Sequence, residues 1–573
     1  MRRLIPVLVG AAAIIILAIG FVRTLYKERY TPTNDPADYN EIMGLKDGEY
    51  TIMINGTILG DVAVEADGSV YIPRAVASKY INSRFYFDEG AGTLIYTNSS
   101  ESRIFEADKA YYTVDGVQTG TDRPVLKIIG SGYYIDSAYL KIYTKCDLDT
   151  YTEPNRMVIR TKWGSEEAVV VTAEETAVRY QGGIKSPVFT TVTKDTELTA
   201  LDTIDDWTRV ITKDGFDGYV HNDDISQRYV RELEEPAAPD ETFSHILRDH
   251  KICMAWHQVM SEYASYNIST DIAYVKGVNV ISPTWYSFDG DKGEIRSIST
   301  AEYVRIAHNA GMEVWALFSN EFDGVFDGGR SCEVLADSER RQKIITALID
   351  DVVSVGADGI NLDFEGLPEA QIGNFLQFVR ELSVECEKHS LVLSVDIYVP
   401  TYTKYYNRTE LKNYADYIVI MAYDEHTTGS PQPGPTADVP FVEQGIQDTL
   451  EEVPKEQIIN GIPFYTPVWA TSASGEFTLA GNYDMVTARG FLDSHGAEVR
   501  YQESLGINYG TYDSEIDGNT YQIWLSDNTS VDSFMKLIKE YDLAGVSCWK
   551  LGMESGTEIW ETIMTYTGIV DED

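Results

Sequence analysis

At 573 residues the chain is long enough for three or four domains, taking roughly 150 residues per domain as a guide. A formal net charge of −44 excludes a basic face for nucleic acid and disfavours adsorption to anionic lipid, so no nucleic-acid partner is expected. Five scattered cysteines without a CxxC pair, and eight histidines at or after His221 without a metal spacing, give neither a disulfide framework nor a metal or cofactor site.

Met1-Arg-Arg precedes Leu4 to Val22, nineteen uncharged residues. As a helix this run would reach roughly 28 Å, close to a hydrocarbon core. It lacks a clear small-residue cleavage site, so residues 1–23 are expected to be an uncleaved single-pass membrane anchor with the rest of the chain extracytoplasmic; secretion after signal cleavage is the alternative. Residues 24–46 are polar with Pro32 and Pro36 and predict a tether.

From residue 47 short apolar runs alternate with Asn55-Gly56 and Asp67-Gly68, which are hairpin signals. Gly68-Ser-Val-Tyr-Ile-Pro73 is echoed by Gly130-Ser-Gly-Tyr-Tyr-Ile135, and Thr93 to Thr97 by Arg156 to Arg160. This repeat, over 47–162, resembles the small module named after the N-terminal part of copper amine oxidases, although the segment has no histidine to hold copper. Residues 167–229 predict another all-β domain. Val178-Arg179, Trp207 and Gly218-Tyr219-Val220 resemble the bacterial Src-homology-3-like module, which implies a cell-wall peptide as partner; Trp207 and Tyr219 as plain core residues are the alternative. Residues 230–244 are a charged, proline-broken linker.

Over 245–573 the texture changes. Eight apolar runs alternate with helical patterns: Lys251 to Trp256, Gly277 to Pro283, Met312 to Phe318, Gly359 to Glu365, Leu391 to Val399, Tyr417 to Asp424, Ile458 to Phe464 and Ala544 to Trp549. The expected class is α/β, a (β/α)8 TIM barrel preceded by small all-β domains and an N-terminal transmembrane helix. A doubly wound sheet is the competitor, but no Gly-rich phosphate loop follows the first run.

In such barrels the site lies at the C-terminal ends of the strands. Those ends carry Trp256, Trp285 with Tyr286, Glu365, Asp396 with Tyr398, Tyr423 with Asp424, Tyr465 with Trp469, and Trp549. Aromatic walls around carboxylates, with no cationic clamp, suit a neutral sugar chain. Within Gly356-Ala-Asp-Gly-Ile-Asn-Leu-Asp-Phe-Glu-Gly-Leu367 the period-two pattern puts Asn361, Asp363 and Glu365 on one face of a strand. Stacking two carboxylates there is costly unless the row faces a site.

Asp358-Gly-Ile-Asn-Leu-Asp-Phe-Glu365 resembles the DGxDxDxE signature of glycoside hydrolase family 18, the chitinase-like hydrolases. Met421-Ala-Tyr-Asp424 is similar to that family's sixth-strand motif and Trp549 to the tryptophan that closes its eighth strand. Val280 to Trp285, Gly461 to Tyr465 and Leu543 to Glu554 resemble more narrowly the branch of spore-germination and cortex-lytic peptidoglycan glucosaminidases.

The resemblance implies that Glu365 is the general acid and then the base for water. The substrate's own N-acetyl oxygen is the nucleophile, a substrate-assisted route with retention. It further implies that Asp363 orients the acetamide, that Tyr423 donates to its carbonyl, that Asp424 contacts the sugar and that Trp549 floors the ring. Asn361 and Asp358 would support the strand, and Met421, Trp285, Tyr286 and Tyr465 would line the sugar site. Asn361 departs from the pattern, standing where the family has its first acid; Ser526 and Pro467 replace charged residues usual in the branch. The expected function is cleavage of β-1,4 bonds next to N-acetylglucosamine in peptidoglycan, the alternatives being a catalytically weak glycan-binding surface protein and a chitinase proper.

Overall fold

The computed structural model describes residues 5–237 and 241–568, with side chains from residue 13 onward. The chain forms two compact units, Met1–Phe87 with Ile104–Asp240, and Asp88–Arg103 with Glu241–Asp573.

In the first unit a helix spans Ile5–Tyr30. Among the described residues no helix is long and apolar enough to cross a membrane. The start of the expected anchor, Met1 to Leu4, lies outside the described residues, as do the side chains up to residue 12. Residues 24–46, expected as a tether, are ordered instead. The helix runs on to Tyr30, Thr33 N donates to Ile184 O (2.8 Å), and Ala37 N donates to Val188 O (2.8 Å). Tyr39 is buried edge-on against Phe189 and Phe216, both at 5.5 Å. One buried aromatic and a paired edge suffice to fix a segment whose composition reads as a linker, because prolines are tolerated at a sheet edge.

The echoed segments of the repeat are neighbours: Ser69–Pro73 pairs antiparallel with Gly132–Asp136, Ile72 opposite Ile135. Thr93–Thr97 and Arg156–Arg160 fall in different sheets. The strands from Gly164–Val170 to Tyr229–Leu233 form one seven-stranded antiparallel sheet over a small core of Val169, Val171, Val178, Leu198, Val210 and Val220. Trp207 stands outside that core, half-buried and edge-on to His221, and both line a cavity of about 560 Å³.

The second unit holds the barrel. Its strands are β1 (Ile252–His257), β2 (Val280–Phe288), β3 (Glu313–Phe322), β4 (Gly359–Asp363), β5 (Val392–Tyr398), β6 (Tyr417–Met421), β7 (Ile458–Pro463) and β8 (Gly545–Trp549). They pair in parallel in the order 2-1-8-7-6-5-4-3, and a further β2–β3 pairing closes the ring. Each strand coincides with one of the eight apolar runs to within a few residues, because a strand covered on both faces must be nearly continuously apolar. Gly359 is required at the start of β4, where a Cβ would lie 2.6 Å from Val392 O.

Helices α1 (Ala301–Asn309), α2 (Ser338–Val355) and α3 (Ile372–His389) cover this side of the ring. Asp337 caps α2 by accepting from Arg340 N, and Gly356 ends it at φ 80°. Phe364, one residue beyond β4, points outward onto Phe375 and Phe378 of α3 at 5.3 and 5.9 Å. The alternate residues Asn361, Asp363 and Glu365 are thereby committed to the interior.

Between β7 and β8 an insertion interrupts the barrel. Tyr465–Thr471, Phe477–Asp484, Val499–Gln502, Ile507–Asp513 and Thr520–Leu525 make a five-stranded antiparallel sheet, with helix Met485–Ser494 packed on it through Ala488 and Leu492. The reading of eight runs passes over this subdomain; Trp469 belongs to it, fully buried with its indole donating to Gly434 O (2.7 Å).

Candidate active site

The inward row of β4 enters the barrel as the sequence predicts, and the environment of each member differs. Asn361 is fully buried and saturated. Its amide nitrogen donates to Asp396 Oδ1 (2.6 Å) and Ser394 Oγ (2.9 Å), and its oxygen accepts from Trp256 Nε1 and Ser282 Oγ, both at 3.0 Å. Because an indole N–H can only donate, the amide has one orientation. Asn361 therefore turns to Asp396 on β5 rather than to Asp363.

Asp363 and Asp396 face each other in register on adjacent parallel strands, and each keeps one buried oxygen without a hydrogen-bond partner. Burial holds both carboxyls well above the usual carboxylate range; Glu365, Asp396 and Glu321 add to the shift of Asp363, and Glu365 adds to that of Asp396.

Glu365 lies just past the end of β4, half-buried at the mouth. Asn320 of β3 clamps its backbone from both sides: Glu365 N donates to Asn320 Oδ1 (2.8 Å), and Asn320 Nδ2 donates to Glu365 O (2.9 Å). Tyr398, at the end of β5, donates its hydroxyl to Glu365 Oε2 (3.0 Å). Burial pushes Glu365 up to about 7, with Asp424 and Glu321 reinforcing the shift and the Tyr398 hydrogen bond opposing it. A carboxyl with that value is protonated in a large share of molecules near neutrality and can serve as a general acid. The acidic neighbours that reinforce the shift come from β3 and from the turn after β6.

After β6 the chain turns at Asp424, which holds φ 61°. That left-handed conformation is tolerated by aspartate and is a form of strain found at functional sites. It sets the Asp424 carboxylate to accept from Tyr465 Oη, and that hydroxyl also accepts from Thr436 Oγ1 (2.9 Å). Tyr423 is buried, edge-on to Tyr465 at 6.3 Å. Its ring lies against Gly461 of β7, where a Cβ would sit 3.1 Å away. Burial, with Tyr465, Asp363, Tyr398 and Asp424 nearby, keeps its hydroxyl well above the usual phenol range, so it remains a donor. Trp549 at the end of β8 is half-buried and edge-on to Trp256 at 5.8 Å. Met421 ends β6, buried opposite Tyr398.

Three expected site residues lie elsewhere. Asp358 precedes β4, at the opposite end of the strand from Glu365; its carboxylate accepts from Val314 N (2.7 Å) and pairs with His308 (2.8 Å), fixing the start of β4 against β3. Trp285 packs edge-on to Tyr303 of α1 at 4.9 Å, and Tyr286 donates to Asp351 of α2 (2.9 Å). Both belong to the layer between strands and helices, because register shifts along β2 after Thr284 and Tyr286 break the simple alternation of faces. Conversely, the sequence places Trp256, Asp396 and Tyr398 at strand ends without assigning them a role, and nothing in it singles out Asn320, Ser282 or Ser394. Their only signal is position in the barrel.

Residues 325–554 match the glycosyl hydrolases family 18, and residues 174–226 match the bacterial SH3 domain. Among curated proteins the chain is 25% identical over 311 residues to an "uncharacterized glycosylase" of Bacillus subtilis strain 168, covering 52% of this chain and 87% of that one. It is 23% identical over 227 residues to the cortical fragment-lytic enzyme of the same organism, covering 38% of this chain and 52%, about half, of that one. The crystal structure of the Bacillus cereus spore cortex-lytic enzyme shares the fold, with a TM-score of 0.51 at 19% identity over 60% of this chain and 79% of that one. The barrel is thus a glycosidase domain of glycosyl hydrolase family 18, borne on a chain that also carries a bacterial SH3 domain.

Proposed function

We propose that this protein is a cell-surface hydrolase that cleaves β-1,4 bonds next to N-acetylglucosamine in peptidoglycan, with retention and with the substrate's acetamide as nucleophile. The observation that carries the reading is Glu365: a carboxyl poised at about 7, its backbone clamped by Asn320 and its side chain held by Tyr398. Glu365 gives its proton to the glycosidic oxygen as the bond to the anomeric carbon breaks, and the acetamide oxygen closes onto that carbon. Asp363 accepts the acetamide N–H and balances the positive charge of the oxazolinium ring, and Tyr423 donates to the acetamide oxygen. Glu365, now a carboxylate, takes a proton from water as the water opens the ring. The Tyr465-held Asp424 contacts the sugar, and Trp549 with Trp256 forms an apolar floor.

The relative described as a cortical fragment-lytic enzyme supports peptidoglycan over chitin as the substrate. The cavity that Trp207 and His221 help to line supports a wall peptide as the partner of the SH3 domain. The uncharged run Leu4 to Val22 supports anchoring at the cell membrane with the barrel outside.

The test is turnover by the purified full-length chain, detergent-solubilised, on peptidoglycan and on chitooligosaccharides, with products identified by mass spectrometry. New reducing N-acetylglucosamine ends from peptidoglycan, lost in Glu365→Gln, are expected. No release from either glycan across the pH range would overturn the hydrolase reading, and faster turnover of the chitooligosaccharides would reassign the substrate.

A further inference from the structure

The departure at residue 361 is matched by an acid on the neighbouring strand. Where the signature resembled here has its first acid, this chain has Asn361, and the amide reaches sideways to Asp396 of β5 at 2.6 Å. Asp396 is in register with Asp363 and 1% exposed. Three observations bear on the state of this pair. First, Asp363 Oδ1 and Asp396 Oδ2 are both buried without a partner, a costly arrangement for two carboxylates and an ordinary one for two carboxyls that share a proton. Second, the donors that reach Asp396 and the oxygen of Asn361 are neutral (Trp256, Ser282 and the amide itself), so none supplies a compensating charge. Third, the charged groups acting on the pair from the surrounding strands are themselves acidic: Glu365 after β4 and Glu321 on β3. Asp424 after β6, which acts on Glu365, is acidic too, and the neighbouring hydroxyls of Tyr398 and Tyr423 are buried phenols.

We propose that Asp396 is a positioning residue for the hydrolysis, sharing a single proton between its Oδ2 and Asp363 Oδ1, with Asn361 as the fixed donor that holds Asp396 in place. The inference rests on the hydrolase reading above. In the resting site the shared proton prevents two adjacent charges. When the acetamide N–H arrives, the proton settles on Asp396 and Asp363 accepts the N–H as a carboxylate; no other bond changes. An aspartate at 361 would put a third acid against the pair with no donor between, so Asn361 and Asp396 form a matched exchange across two strands. Aspartic dyads sharing one proton behave in the same way.

The test compares the full-length wild type, Asp396→Asn and the double variant Asn361→Asp/Asp396→Asn. In Asp396→Asn the new amide holds Asp363 ionised at rest. The expected result is a kcat lower by roughly 10–100-fold, as for other small losses of alignment, a nearly unchanged KM and an acidic limb of the pH profile moved to lower pH. The double variant should recover part of kcat, which repair of mere packing would not explain. Independently of turnover, infrared absorption of protonated carboxyl groups at neutral pH should fall by one group in Asp396→Asn. Wild-type kcat, pH profile and infrared band in Asp396→Asn would overturn the proposal. A wild type that cleaves nothing while the band is still lost would refute the hydrolase reading and leave the shared proton standing. Circular dichroism of each variant identifies misfolding, and if Asp396→Asn misfolds, a double variant that folds without regaining turnover or pH dependence overturns the proposal.

Discussion

Asn320 and Glu365 are bound to each other as two residues of adjacent strands would be, one by its side chain and the other by its main chain. The amide of Asn320 stands in for a peptide unit just where β4 ends and ladder pairing stops, so the acid is carried on a backbone as rigid as the strand itself. Asn320→Ala removes both bonds from a buried position. We expect kcat to fall by roughly 10–100-fold through misplacement of the carboxyl and the barrel to lose about 1–3 kcal/mol of stability, read by steady-state kinetics and denaturant unfolding.

Glu365→Gln keeps the shape of the side chain and removes its proton. Loss of general acid catalysis predicts a drop in kcat of about 10²–10⁴-fold. Glycan affinity measured by calorimetry should be retained, since the Tyr423, Asp424 and Trp549 surfaces are untouched.

The pH dependence follows from the same carboxyl. Glu365 must be protonated to act as acid, and its value is about 7, so kcat should decline as pH rises through that point. The Tyr398 hydroxyl favours the charged form of Glu365. Tyr398→Phe should therefore move the alkaline limb upward while lowering the maximum rate; a limb that moves down would contradict the assignment.

Stability should depend on pH in an unusual direction. Burial raises Glu425 to about 8, Glu365 to about 7 and Asp416 to about 6. With folded values above unfolded ones, the folded protein binds more protons in the interval between them. The contribution of these groups is complete below their unfolded values and is lost as pH rises through about 6 to 8. The thermal midpoint of the barrel should thus fall between about pH 5 and pH 8, and Glu425→Gln should flatten the upper part of that fall.

Asp358 belongs to the signature by sequence and to the far end of the barrel by structure. Asp358→Asn should leave kcat and KM near wild type while costing about 1 kcal/mol. A large loss of kcat with intact stability would return it to the site.

The barrel and the centre of its site are legible in the order of residues alone. Eight buried parallel strands impose eight apolar runs, and the period of two in a strand puts Asn361, Asp363 and Glu365 on one face whatever surrounds them. Tyr423, Asp424, Tyr465 and Trp549 were legible for the same reason, being polar or aromatic residues at or just beyond the ends of such runs. What those residues touch is set by how the strands pair. The register of β4 against β5 sets Asp363 beside Asp396, and the register against β3 brings Asn320 to Glu365. Register shifts in β2 send Trp285 and Tyr286 outward to Tyr303 and Asp351. Register and strand closure join residues tens to more than a hundred positions apart, as Trp256 and Asn361 are joined, and no local pattern encodes that pairing. A strand's sequence states which faces are polar; only the closed ring states which polar groups meet.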